Sequence, residues 1–276
     1  MGLLSIFLKG NDTQKSNDPF DGLMIKVCSG KFSQRYIKFS NSQYDKRKKA
    51  EMRHGHESRT VTLTKDFQIC KYPTTQKQWK VIMGEGFNMS ENRGDDLPVT
   101  NVSYEDIMQF IKKLNKLTGK KYRLPTEAEW QWAAMGANKD NDQGQYAGCK
   151  EAKDIPKYAW CENNSDDKTH PVGKKKPNEL GLYDMMGNVW EVCQDKCDEP
   201  DSPAFSMHKT FVSGSDVIDP IEKSGAFHVT KGGCCYNRLL KPNEENYYYW
   251  LARFEVGYAG VIKSVSSVTG FRIVLD

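Results

Sequence analysis

No apolar run in this chain approaches the roughly 20 residues that a membrane-crossing helix needs. The first eight residues, Met1 to Leu8, are apolar, but no basic residues precede them and no small-residue cleavage site follows. They read as an uncleaved start, not a signal peptide, and the expected location is cytoplasmic. Charge of one sign is also scarce. A net +4 over 276 residues, with no concentrated basic face, excludes a dedicated nucleic-acid binder. The one basic run, Lys46-Arg47-Lys48-Lys49, lies between Asp45 and Glu51 and reads as a solvated loop. There is no internal repeat. From Gly136 to Lys231 there is almost no hydrophobic periodicity, and that is too long for a plain loop in a compact domain. The stretch must be held by side-chain contacts, ions or short strands.

Apolar residues make up 38% of the chain, enough at this length for a substantial core. Without an export signal, the eight cysteines are expected as reduced thiols. Residues 1–22, polar from Gly10 to Asp18, form a flexible tail in this reading, and residues 23–276 form one domain. Met24–Val27 and Gly30–Phe32 are expected to pair as a first hairpin. Ser40 to Glu57 is expected as a charged loop, and strand character resumes at Val61–Leu63 and Phe67–Cys70. Thr75 with Gln78, Ser103 with Asp106 and Thr126 with Glu129 are capping boxes, each opening a helix. The second helix carries Ile107, Phe110, Ile111, Leu114 and Leu117 at helical spacing and closes on Gly119. A terminal strand is expected over Gly270–Leu275.

The stretch Tyr183-Asp184-Met185-Met186-Gly187-Asn188-Val189-Trp190-Glu191 is dense in residues that a surface loop does not need. Two carboxylates bracket a glycine that lets carbonyl groups converge. Such a set suits a hard cation such as calcium. The alternative is a buried turn plugged by Trp190, with Glu191 paired to an arginine.

Several stretches coincide, in order, with one family: Asp96 to Asp106, Tyr122 to Trp130, Pro177 to Glu191, Lys231-Gly232-Gly233 and Gly270-Phe271-Arg272. Together they resemble the formylglycine-generating enzyme, or sulfatase-modifying factor, domain over about residues 23–276. The resemblance implies a single α+β domain with a C-type-lectin-like fold, poor in regular secondary structure. It implies a structural calcium on Asp184, the carbonyls of Gly187 and Val189, and Glu191. A second calcium of some members is not carried over, because Trp160 stands at the aligned position.

Enzymes of this family use copper(I), held by two thiolates, to convert a protein cysteine to formylglycine. Soft thiolates select that ion. The expected thiol positions here are Asn237 and Pro242, so the metal pair is missing. Cys234 and Cys235 are the substitutes to weigh. Neighbours on an extended segment point to opposite faces, so they are poorly placed to grip one ion. Cys193 and Cys197 lack further zinc ligands nearby apart from His208. The five histidines form no helical pair of the kind that iron-dependent relatives use. The fold also serves recognition, including in hypervariable proteins of phages and bacteria. The corresponding segment, Asn237 to Thr269, carries Tyr248, Trp250 and Arg253, residue types that supply contact energy to a protein or small-molecule partner. The expectation is therefore a non-catalytic binding module with structural calcium. The alternative is an active formylglycine-generating oxidase using copper on Cys234 and Cys235.

Overall fold

The computed structural model describes residues 17–38, 55–138, 146–197, 214–236, 257–260 and 266–276. Eleven strands and four α-helices are present among them. The helices begin where side chains satisfy their free N–H groups. Thr75 caps α1 (Gln76–Met83), Ser103 caps α2 (Tyr104–Thr118) and Thr126 caps α3 (Glu127–Ala134), all three as full capping boxes. Gly119 ends α2 in the left-handed conformation, as expected. A short α4 covers Glu162–Ser165.

The strands build three small sheets. In the first, β1 (Met24–Val27), β4 (Phe67–Cys70), β11 (Val274–Leu275) and β5 (Tyr122–Arg123) lie in the order β1-β4-β11-β5. In the second the order is β10-β6-β8-β9, from Thr269–Gly270, Trp190–Cys197, Phe227–Lys231 and Gly257–Gly260. The third joins β2 (Gly30–Lys38), β3 (Gly55–Leu63) and β7 (Asp216–Ile218).

The expected first hairpin does not form. β1 pairs with β4, and β2 pairs with β3. A corner at Cys28-Ser29 separates them. The Ser29 N–H donates to Asp66 at 2.8 Å, and the Trp132 indole donates to the Cys28 carbonyl at 2.9 Å. Gly30 completes the corner, since a Cβ there would fall 2.4 Å from the Trp132 ring. The expected terminal strand is two short ones, β10 and β11, in different sheets. Between them Phe271 and Ile273 enter the core, and so does the Arg272 side chain.

The core has two parts. One packs α1 and α2 on the first sheet, where Trp79 stacks on Phe110 at 5.2 Å and Phe110 meets Phe271 edge-on. The other gathers Val27, Phe32, Val61, Trp130, Trp132, Met185 and Val229. Leu117, placed inward by its spacing, is 48% exposed; the apolar face of α2 ends at Leu114. The packed chain also starts earlier than residue 23. Phe20 is fully buried against Phe110 and Tyr122, and Asp18 accepts from the Tyr122 hydroxyl and Lys120, both at 2.6 Å. No helix among the described residues is long and apolar enough to cross a membrane.

Candidate functional site

Residues 183–191 lie where three segments meet. Asp184, Gly187 and Asn188 all take positive φ (55°, 70° and 61°), so the chain doubles back tightly before entering β6. The Gly187 N–H donates to the Gly232 carbonyl at 2.8 Å, and the Asn188 N–H to the Trp160 carbonyl at 2.9 Å. The Cys235 N–H donates to the Asn188 carbonyl at 3.0 Å. The Asn188 side chain clamps the backbone of His170, accepting from its N–H and donating to its carbonyl. Beside this turn the Trp160 and His170 rings stack at 3.8 Å, and Lys175 sits 3.9 Å from the centre of the Trp160 ring.

The charges beneath the turn are fully buried. Glu191 accepts from Arg272 through both oxygens, at 2.6 and 2.7 Å, and from the Trp130 indole at 2.7 Å. Arg272 spends its other N–H groups on the carbonyls of Cys70, Lys71 and Tyr183. A second buried pair lies alongside, Lys231 to Glu127 at 3.2 Å. Asp195 holds the backbone N–H groups of Glu127 and Glu222. Sequence reasoning left Arg272, Lys231 and Glu127 without roles. The one available signal was an arginine between apolar neighbours, Phe271 and Ile273, in a terminal strand.

Of the four residues implied for calcium, Asp184 and Glu191 are placed close enough to influence one another's charge, and Val189 is buried. Yet both Glu191 oxygens already serve N–H donors, two of them on a guanidinium. A calcium ion here would have to share that carboxylate with a full positive charge. Among the described residues no three His, Cys, Asp or Glu side chains converge as a metal set.

Burial pushes the Asp184 carboxyl up to about 6, although the Gly173 N–H at 2.8 Å and Arg272 pull the other way. The sign of its contribution follows. An acid raised in the folded state opposes folding once the unfolded acid is ionised, so the penalty is complete above about pH 6 and absent below about pH 4. Asp184→Asn, a residue that tolerates positive φ, should therefore gain up to roughly 3 kcal/mol above pH 6 and nothing below pH 4. Denaturant unfolding across that range, in EGTA and in calcium, measures it. A gain seen in EGTA that becomes a loss in calcium would establish the ion instead.

The four thiols weighed as metal ligands, Cys193, Cys197, Cys234 and Cys235, are buried. The chain leaves β8 after Lys231 through Gly232 and Gly233 (φ 94° and 79°), so Cys234 and Cys235 lie beyond the strand, with Cys235 in a turn rather than on the extended segment expected. Both are buried, and the Cys235 carbonyl accepts from the Ser165 hydroxyl at 2.8 Å. Burial pushes the Cys235 thiol up to about 12, with Cys234 adding to the rise. Cys193 and Cys197 are buried in β6, and burial raises the Cys193 thiol well above its ordinary value. Protonated thiols are poor copper ligands. The positions expected for the copper thiolates, Asn237 and Pro242, carry an amide and an imino acid, so these residues do not fit a copper(I) site. Asn237, Pro242 and the partner residues Tyr248, Trp250 and Arg253 lie outside the described residues.

Comparison with known proteins agrees with this architecture. The sequence matches the Sulfatase-modifying factor enzyme 1-like domain over residues 11–276. It is 32% identical over 197 residues to the Chaperone protein LppX of Paenibacillus barcinonensis, covering 54% of this chain and 69% of that one. It is 32% identical over 210 residues to the formylglycine-generating enzyme of Thermomonospora curvata, covering 72% of this chain and 61% of that enzyme's length. Treponema denticola variable protein 1 shares the fold, with a TM-score of 0.66 at 24% identity over 91% of this chain and 94% of that one. The chain belongs to the sulfatase-modifying factor, or formylglycine-generating enzyme, family.

Proposed function

We propose that this protein is a non-catalytic binding module built on the formylglycine-generating-enzyme scaffold. The observation that carries the reading is the pair Asn237 and Pro242 at the positions expected for the copper thiolates. Burial of Cys234 and Cys235, the nearest thiols in sequence, supports it. So does the name of one relative, a chaperone, and the variable protein that shares the fold. The partner surface is assigned to the segment carrying Tyr248, Trp250 and Arg253, and the partner is a protein or a small molecule. The arginine partner of Glu191 supports a charge pair over a calcium ion as the stabiliser of the turn.

Copper(I) titration against a chromogenic chelator tests the choice between binder and oxidase. The expected result is no stoichiometric copper(I) held by the purified protein. Stoichiometric copper lost in Cys234→Ser or Cys235→Ser would overturn it, and the chain would then be read as an oxidase acting on protein cysteine.

A further inference from the structure

Away from the turn, a cavity of about 360 Å³ opens between the end of α3 and the 3₁₀ helix Ala152–Lys157. That volume lies in the range of small-molecule sites. Its walls are fixed by backbone contacts. The Lys176 N–H donates to the Lys157 carbonyl at 2.9 Å, and Asn178 ties its amide to the carbonyls of Ala133 and Ala134. Gly148, at φ 85°, lets the Tyr158 ring lie against the backbone; a Cβ there would be 2.7 Å from that ring. Tyr146 forms another part of the wall.

The lining carries three lysines and three carboxylates. Some of these charges are already spent: Asp154 pairs with Lys157 at 2.7 Å, and Glu151 pairs with Lys153. Lys150, Lys176 and Glu179 make no ion pair among the described residues. They leave charge of both signs on the lining. Glu179 folds over Gly136, and its charge helps hold the Cys149 thiol high, after burial and Asp154. Lys176 lies 6.0 Å from the Tyr158 ring centre and within electrostatic reach of Asp154. A purely anionic ligand would meet Glu179, and a purely cationic one would meet Lys176.

We propose that this cavity binds a small zwitterion, such as a free amino acid, with its ammonium at Glu179 and its carboxylate at Lys176. The proposal does not rest on the C-terminal partner segment, and its test is independent of copper. The common amino acids are added singly at millimolar concentration, and thermal unfolding is followed. At ten times Kd the bound amino acid should raise Tm by about 3 °C. Its affinity should fall at least about tenfold in both Glu179→Gln and Lys176→Gln, exposed positions whose folding circular dichroism checks. The proposal is overturned if no amino acid moves Tm. It is equally overturned if acetate or methylammonium alone matches the shift, or if the shift survives in both variants.

Discussion

Glu191→Gln should destabilise the protein by about 3–5 kcal/mol, the cost of removing one partner from a buried ion pair. For a chain of this length that is roughly 10 °C in Tm. Glutamine keeps an oxygen for one donor but loses the charge. Arg272 is then left with carbonyl acceptors only, from Cys70, Lys71 and Tyr183, in a place that water does not reach. The nearest remaining counter-charge is Asp184, whose carboxyl burial already pushes up. Arg272→Met alone should be comparably harmful, because Glu191 would be left buried with only the Trp130 indole as donor. The double variant should cost less than the two single losses together, because it removes both charges at once. Urea unfolding of the four proteins closes the cycle. A loss within about 0.5 kcal/mol for Glu191→Gln, the range of ordinary surface changes, would mean the pair does not hold the turn. Repeating the cycle with calcium separates a charge pair from a metal ligand, since only the second makes the loss calcium-dependent.

The same pair explains how the site survives without regular structure. Glu191 opens β6, Arg272 lies between β10 and β11, and Trp130 belongs to α3. One carboxylate thereby fixes three elements to each other by short, directional bonds. The scaffold can keep its turn geometry whatever residues occupy the segment from 237 to 269, because none of these bonds involves that segment. That separation suits a binding module, where one surface changes on a constant frame.

What was legible in the sequence was local. A capping box spans four residues, so Thr75–Gln78, Ser103–Asp106 and Thr126–Glu129 announced their helices correctly. The turn at 184–191 was visible as a density of unusual residues, and an arginine partner for Glu191 was one of its two readings. What the residues did not name was distant. Arg272 is 81 positions from Glu191, and β1 finds β4 rather than its neighbour because of contacts from Asp66 and Trp132. β6 was hidden for a different reason. It is buried on nearly all sides, including Glu191, Cys193 and Asp195, so it shows no alternation of apolar and polar residues. The failure of Leu117 is of a third kind. Helical spacing gives the apolar face but not how far along the helix its partner extends.

Gly187→Ala should be about as damaging as loss of the ion pair, at about 4 kcal/mol, from two separable terms. The first is conformational: φ is +70°, where an L side chain is strained. The second is steric: the added Cβ would fall 2.1 Å from the Trp160 carbonyl oxygen, an atom that also accepts from the Asn188 N–H. That oxygen belongs to the backbone and cannot rotate away. Moving it breaks the join between Trp160 and the turn. Gly181→Ala isolates the first term, because Gly181 has φ +82° and a methyl group added there would meet nothing within 4 Å. It should cost about 1 kcal/mol. Denaturant unfolding of both variants therefore reads the steric term as their difference. Equal losses would show that the Trp160 segment yields easily, and the turn would then be a flexible loop rather than the rigid joint on which the site is built.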